Sequence, residues 1–173
     1  MRGMTPDSIA GIPAHPLIVH IPVVFIPLTL LVAIAAVLWR SRRRELAVVT
    51  LATATVGMLG AQLATMSGES LEEQVPRSSL IHQHADLGEG ARTLAIIVFL
   101  AAVLFAAREL RDRFPGSAAG AARVLGRPAA AVAVTVVLLG TSVAATAWTV
   151  RAGHMGAKAA WHDVGTRDTA STR

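Results

Sequence analysis

The sequence predicts an all-α protein, an integral membrane four-helix bundle whose N and C termini are both extracytoplasmic. Composition gives the first indication, because 53% of the residues are hydrophobic and only 16% are charged, whereas soluble domains carry about 25% charged residues. The second indication is a set of four apolar windows, each close to the roughly 20 residues that a spanning helix needs. The third is the placement of the arginines, most of which lie between these windows.

The four predicted spans form a single domain over residues 1–165, followed by a polar tail at 166–173. Their approximate bounds are 18–39, 46–66, 88–108 and 129–151. Charged residues nearly vanish inside these windows: apart from Glu89, Arg108 and Arg151 near the window ends, only Arg92 in the third is charged. The first window is too long, and the residues before it are too weakly basic, for a cleaved signal peptide. We therefore expect it to be a retained helix.

Arginine asymmetry predicts the orientation of the bundle. Nine of the sixteen basic residues, against three acidic ones, lie in the segments that join spans one and two and spans three and four. They are Arg40, Arg42, Arg43, Arg44, Arg108, Arg111, Arg113, Arg123 and Arg127. The positive-inside rule places both segments in the cytoplasm, and both termini and the 67–90 segment outside. The net charge of +5 therefore indicates membrane topology, and no nucleic-acid partner is expected.

Residue usage narrows the location and the class of protein. Many Ala, Val, Gly and Arg residues beside a single lysine are typical of a GC-rich bacterial genome, so the expected location is a bacterial inner (plasma) membrane. The absence of cysteine excludes disulfides, thiolate metal ligands and thiol catalysis. Nothing in the sequence resembles a hydrolase constellation or a glycine-rich phosphate loop. We therefore expect no autonomous enzyme activity.

Two spans carry stripes of small residues at four-residue spacing. Span two has Thr53, Gly57 and Ala61. Span four has Gly140, Ala144 and Trp148 on one face and an adjacent stripe of Thr141, Ala145 and Thr149. Helix association in lipid depends on close approach of the backbones, which favours ordinary bundle packing as the role of both stripes. The alternative is that the small residues leave room for a flat cofactor.

All six histidines lie near the span ends that are predicted to be outside. They are His15, His20, His82, His84, His154 and His162. In "HPLIVHIPVVFIP", Pro22 and Pro27 each remove a helical hydrogen bond, so the first helix begins near Pro22, or begins at Pro16 and kinks twice. Either arrangement opens backbone near His20 and aims the imidazoles inward. The alternative is that headgroup water wets His15 and His20.

The remaining histidines lie at the start of span three and the end of span four. Because His82 and His84 are two residues apart, at most one of them points into the bundle, and His84 is favoured because small residues follow it on one stripe. Arg92, about two turns deeper, is a candidate for pairing with an acid, for binding a cofactor propionate, or for snorkelling to the interface. His154 and His162 share a helical face if the helix is unbroken.

Imidazoles that converge at one side of a bundle support three kinds of chemistry. They act as axial ligands of haem iron, they bind copper or zinc, or they respond to pH between about 5 and 8. Haem is favoured by an apolar slot among small residues with an arginine nearby. Copper or zinc is favoured by the His82–His84 pair.

Several segments of the chain resemble those of a known family. The segment "HPLIVHIPVV" (15–24) resembles the "HP-xx-VH-x-P" opening of the bacterial DUF2231 membrane proteins. The ending "GHMGAKAAWHDVG" (153–165) is similar to that family's "G-x-x-GG-x-LVY-x-HG-x-G" pattern, with Ala157 in place of its second glycine. The segments "SGESLEEQVP" and "HQHADLGEGA" resemble the stretch between spans two and three in one branch of the family.

The resemblance implies a four-helix bacterial inner-membrane protein without an assigned activity. Relatives fused to cytochrome c-like or Rieske-like domains imply electron transfer near the outer face. Of the residues here, His15, His20 and His162 match family positions, and His84, with His82, matches positions of the branch.

The preferred hypothesis is a membrane protein that binds a b-type haem, or another redox metal, through its outer histidines and acts in electron transfer. His20 and His84 are the predicted axial or metal-binding pair. Other predicted cofactor-binding residues are His15, His154, His162 and Arg92. The predicted partners are the lipid bilayer and a respiratory or cytochrome-type protein.

The alternative hypothesis is a non-catalytic accessory or assembly subunit of a membrane respiratory complex, with structural histidines and no cofactor. A small transporter is disfavoured, because no intramembrane acid or broken-helix pair is found at mid-membrane depth.

Overall fold

The structure is a computed structural model that describes residues 8–9, 11–76, 78–111 and 127–161. A short antiparallel hairpin, with two residues in each strand, precedes the helices. The elements in order are β1 (Ser8–Ile9), β2 (Ile12–Pro13), α1 (Ala14–Ile18), α2 (His20–Leu38), a 3-10 turn (Arg40–Arg42), α3 (Arg43–Glu72), α4 (Ser79–Glu109) and α5 (Pro128–Trp161). The described residues include four stretches long and apolar enough to cross a membrane: α1 with α2, α3, α4 and α5. The predicted helical membrane bundle is confirmed, and the orientation of its termini stays a prediction.

Three helices extend beyond the predicted spans, all towards one end of the bundle. Helix α3 ends at Glu72 rather than near 66, α4 begins at Ser79 rather than near 88, and α5 ends at Trp161 rather than near 151. A hydropathy window detects only the apolar part of a helix, whereas these extensions are polar. At the start of α4, the Ser78 hydroxyl accepts a hydrogen bond from the Ile81 amide at 3.2 Å, which supplies the N-cap that an exposed helix start needs.

The sequence also predicts a connector between spans three and four and a polar tail at 166–173. Both lie largely or wholly outside the described residues, in 112–126 and 162–173.

The helices pack in chain order around a ring. Helix α2 packs on α3, α3 on α4 and α4 on α5, and α5 returns to α2. Helices α2 and α4 therefore face each other across a diagonal. We call the end that contains the starts of α1 and α4 the histidine end, and the end that contains the starts of α3 and α5 the arginine end.

The buried residues of the helices follow the alternating three- and four-residue spacing of coiled coils. In α2 they are Pro22, Ile26, Thr29, Ala33 and Ala36, and in α4 Ala91, Ala95, Val98, Ala101, Ala102, Phe105 and Ala106. Most are small, which lets the backbones approach closely. The outer faces carry large apolar side chains, such as Leu31 with 63% and Val132 with 63% of its surface exposed. This distribution is expected where lipid is the solvent.

Several buried hydroxyl groups in the bundle donate within their own helices, whereas those of Ser142 and Thr149 have no hydrogen-bond partner among the described residues. Thr29 donates to the carbonyl of Phe25 at 2.7 Å, and Thr50 donates to the carbonyl of Leu46 at 2.7 Å. Both threonines are fully buried. Because lipid offers no hydrogen-bond partners, this back-bonding removes the cost of a polar group inside the membrane.

The small-residue stripe of span two serves helix packing. A Cβ atom at Gly57 would lie 3.3 Å from Ile26 Cγ1. At Gly60, which lies beside the stripe, a Cβ atom would lie 2.8 Å from Ile21 Cβ and 3.1 Å from Pro22 Cδ. By contrast, Gly140 of span four has no neighbouring atom within 4 Å and faces outward. Helix packing, the role that the sequence favours, therefore describes the stripe of span two. In span four the adjacent stripe faces the bundle, and its Ala145 is buried.

We expect Gly60→Ala to destabilise the bundle by about 1–3 kcal/mol, the usual range for overpacking. The added methyl meets the branched Cβ of Ile21 and the rigid ring of Pro22, and neither can move without shifting α1 and α2. Thermal unfolding in detergent measures the effect. Gly140→Ala is the matched control, because its methyl enters open space; equal melting temperatures for the two variants would contradict this account of the α2–α3 interface.

Candidate functional site: an interhelical imidazole pair

The first helix begins at Ala14 and is interrupted once. Val19 separates α1 from α2, yet the Val19 amide donates to the His15 carbonyl at 3.1 Å and the Val23 amide to the Val19 carbonyl at 3.3 Å. The chain therefore continues in helical conformation past Pro22, and Pro27 lies inside α2. This arrangement is nearest to the second of the two predicted alternatives, with one interruption instead of two kinks.

His15 points into the bundle because it belongs to the buried stripe of the first span. It precedes the buried Pro22 by seven residues, two helical turns. Its Nδ1 lies 2.9 Å from the Ala64 carbonyl oxygen and 3.2 Å from Ser67 Oγ. Ser67 itself donates to the Ala64 carbonyl at 3.0 Å. Since a carbonyl only accepts, Nδ1 carries the proton, and a neutral His15 keeps the lone pair of Nε2.

His84 repeats this arrangement in the second helix pair. It precedes the buried Ala91 by seven residues in α4, and its Nδ1 lies 2.9 Å from the Ala152 carbonyl oxygen of α5. The same reasoning makes Nδ1 the donor and leaves the Nε2 lone pair available. Each imidazole thus bonds the backbone of the next membrane span, His15 that of α3 and His84 that of α5.

A glycine makes room for each imidazole. A Cβ atom at Gly68 would lie 3.0 Å from His15 Cε1, and one at Gly156 would lie 2.9 Å from His84 Cε1. Each glycine follows the bonded alanine by four residues, one turn along the same helix. The site therefore uses one arrangement twice: a histidine in one membrane span contacts an Ala-x-x-x-Gly segment in the following span. Reasoning from the sequence missed this pairing, although the two Ala-x-x-x-Gly segments were a visible signal.

The two imidazoles meet across the diagonal of the bundle. Their ring centroids are 6.0 Å apart and the ring planes are inclined by 77°. Both side chains are half-buried at the histidine end. We call His15 and His84 the imidazole pair.

The structure places the other predicted histidines outside this pair. His20 is exposed, because five residues after His15 the helix has turned about 140° to another face. His84 is therefore beside His15 and not beside His20, its predicted companion. His154 is exposed, and His82 is exposed with its Nε2 3.9 Å from Asp86 Oδ2. His162 lies outside the described residues.

Arg92 is half-buried in α4, two turns below His84. Within the described ranges its guanidinium makes no hydrogen bond or ion pair. The predicted pairing of Arg92 with an acid is thus not formed among these residues. A role in binding a cofactor stays a prediction.

Side chains fill the space beside three glycines of α3, α4 and α5. Trp148 packs on Gly90, where a Cβ atom would lie 3.0 Å from its Cδ1. His15 and His84 occupy the space beside Gly68 and Gly156 in the same way. These glycines therefore accommodate side chains of the protein itself.

An acidic cleft lies beyond the imidazole pair at the histidine end. It encloses about 900 Å³ and is lined by Glu69, Glu72, Glu73, Val75, Ser78, Ser79 and His82. Its three carboxylates follow Gly68 in the chain, Glu69 and Glu72 in α3 and Glu73 directly after it. Gly68 itself packs against His15. A concentration of negative charge at the mouth of a site attracts cations to it. Within the parts of the chain described here, no group of three or more His, Asp or Glu side chains is placed to hold a metal ion.

Comparison with known proteins identifies the family. A family described as "Predicted membrane protein (DUF2231)" matches residues 11–168. The chain belongs to the DUF2231 family. The match includes the imidazole pair and all four spans of this DUF2231 protein, and it confirms the resemblance noted in the sequence. No curated protein and no solved structure matches the chain.

Proposed function

We propose that this DUF2231 protein binds a redox-active metal ion, copper, between His15 and His84, and that it acts in electron transfer. The observation that carries the proposal is the shared hydrogen bonding of the imidazole pair. Both Nδ1–H groups are committed to backbone carbonyls, at 2.9 Å each, and both Nε2 atoms keep a lone pair. Metal-binding histidines characteristically donate their second ring N–H in this way, which fixes the tautomer and the ring orientation.

The separation of the rings is compatible with one ion between them. Metal–imidazole nitrogen distances are about 2.0 Å, so ligands on opposite sides of an ion have their ring centroids roughly 6 Å apart. The observed separation is 6.0 Å. The acidic cleft beside the pair supports a cation as the ligand.

The number of ligands favours copper over zinc. Zinc sites are almost always tetrahedral, with at least three protein ligands, and the described residues offer two imidazoles. Copper(I) is stable with two nitrogen ligands in a line, and imidazole suits copper in both of its common oxidation states. Copper also changes its charge by one electron, which is the chemistry that an electron-transfer site needs.

Metal and haem analysis of the purified protein tests the proposal. The full chain is purified in detergent, loaded with copper(I) under reducing conditions and passed through a desalting column. We expect about one copper per chain and no Soret band in the reduced-minus-oxidised spectrum. A Soret band would favour the haem that the sequence predicts, and a chain with neither copper nor haem would leave the electron-transfer proposal without a redox centre.

A second candidate function is that of an accessory subunit of a respiratory complex, with structural imidazoles. The supporting observation is that each imidazole ties two helices together, His15 joining α1 to α3 and His84 joining α4 to α5. This role predicts that His15→Ala and His84→Ala lower the melting temperature equally with and without copper. It also predicts that a cytochrome-type protein co-purifies with the wild type.

We also propose that the histidine end faces the outside of a bacterial plasma membrane. The natural chain has no cysteine, so single cysteines report the topology directly. Gln74 is exposed at the histidine end and Arg42 is exposed at the arginine end. We expect a membrane-impermeant thiol reagent to label Gln74→Cys in intact cells and Arg42→Cys only after lysis. The opposite labelling pattern would show that the histidine end faces the cytoplasm.

A further inference from the structure

A cationic cleft lies at the arginine end, away from the imidazole pair. It encloses about 490 Å³ and is lined by Arg40, Ser41, Arg43, Arg44, Arg108 and Glu109. Four guanidinium groups and one carboxylate give this lining a formal charge of +3. The positive-inside rule explains why arginines lie at this end, but it requires neither a cleft nor burial of the side chains.

Two of these arginines are mostly buried and share one acid. The side chains of Arg43 and Arg108 are 21% and 17% exposed, and that of Glu109 is 13% exposed. Arg43 Nε lies 3.5 Å from Glu109 Oε1, an ion-pair distance without hydrogen-bond geometry, and Arg108 donates to the same oxygen. The Nε atoms of both arginines are buried and make no hydrogen bond. One carboxylate therefore leaves both charge and donors unsatisfied.

Packing holds one of these arginines at the mouth of the cleft. The Arg43 guanidinium lies 5.5 Å from the ring centroid of Phe105, which is fully buried. This cation–π contact fixes the arginine between the start of α3 and the end of α4. A guanidinium with a fixed plane has a smaller entropy cost when it binds an oxyanion through two parallel hydrogen bonds.

The cleft lies at the depth of the lipid headgroups. Trp39, which follows the end of α2, is 64% exposed, and exposed tryptophans at span ends mark the membrane–water interface. The next residue, Arg40, already lines the cleft. Basic pockets between transmembrane helices at the interface are suited to anionic headgroups.

We propose that this cleft binds the phosphodiester headgroup of an anionic phospholipid. The phosphate oxygens accept hydrogen bonds from the terminal N–H groups of Arg43 and Arg108, which line the cleft beside a single carboxylate. The exposed Arg40 adds charge at the lipid-facing rim. Free phosphate has the same oxyanion chemistry, but it lacks the acyl chains that the neighbouring apolar helix surfaces contact.

Native mass spectrometry of the full chain tests this proposal. The protein is titrated in detergent with phosphatidylglycerol, with phosphatidylcholine and with inorganic phosphate, and bound lipid is counted. We expect preferential binding of phosphatidylglycerol, and a loss of about five-fold in its affinity for each arginine neutralised, Arg108→Gln or Arg40→Gln, since an interfacial arginine contributes about 1 kcal/mol. Arg127→Gln is the control, because Arg127 is exposed at the same end but does not line the cleft.

Two variants keep the test decisive. Arg40 is exposed, so Arg40→Gln is expected to fold even if Arg108→Gln disturbs the Glu109 ion pair. Equal loss of phosphatidylglycerol in Arg40→Gln and Arg127→Gln would overturn the cleft as the site. Equal binding of the two lipids, or binding of inorganic phosphate without lipid preference, would overturn the headgroup as the ligand.

Discussion

His84→Ala is expected to lower the copper(I) affinity of the protein by at least about 100-fold. The variant removes one of two ligands, and changes to the hydrogen-bond partners of a ligand alone cost 10–100-fold. His15→Ala should have the same effect, because both imidazoles bond a backbone carbonyl at 2.9 Å and both fit against a glycine. Competition with a chromogenic copper(I) chelator measures the affinity.

His20→Ala and His154→Ala are the matched controls for this prediction. Both histidines lie at the same end of the bundle, and both are exposed. Their replacement should change the copper affinity by less than a factor of about two, since neither touches the imidazole pair. A large loss in His20→Ala with little loss in His15→Ala would restore the pairing of His20 with His84 that the sequence favours.

Gly156→Ala is expected to weaken copper binding by 10–100-fold while the bundle stays folded. The new methyl would lie 2.9 Å from His84 Cε1, closer than real side-chain contacts allow. The imidazole is the mobile partner in this contact, so we expect it to move, which disturbs its hydrogen bond to the Ala152 carbonyl and its position relative to His15. Affinity therefore falls although every ligand is still present.

Gly153→Ala provides the control for helix effects. Gly153 lies three residues earlier in α5, and a methyl group there would meet no atom within 4 Å, so the variant changes helix propensity without touching His84. Gly68→Ala should behave like Gly156→Ala, because its methyl would lie 3.0 Å from His15 Cε1. Equal copper affinity in Gly153→Ala and Gly156→Ala would show that the glycine does not position the imidazole.

The fold was largely readable from the sequence because a membrane imposes few solutions. Apolar windows of the right length predicted four spans, and the described part of the chain contains four helical stretches able to cross a membrane. The helix ends were less accurate, since α4 starts nine residues before its apolar window in a polar stretch capped by Ser78. A polar helix extension carries no hydropathy signal. Its capping residue, however, can be recognised in the sequence.

The site was only half predictable for a geometric reason. His84 was selected correctly as an inward-facing residue, because small residues mark its stripe in α4. His15 and His20 could not be separated, because nearly every residue of the first span is apolar on all sides and shows no inner face. The position of Val19 and the register with Pro22 decide between them, and both depend on how α2 packs on α3.

X-ray absorption at the copper edge of the copper(I)-loaded protein shows directly whether the imidazole pair holds the ion. We expect two nitrogen ligands at about 2.0 Å with the multiple-scattering pattern of imidazole, and one such ligand fewer in His15→Ala or His84→Ala. A sulfur shell from methionine, or a spectrum that neither substitution alters, would contradict it.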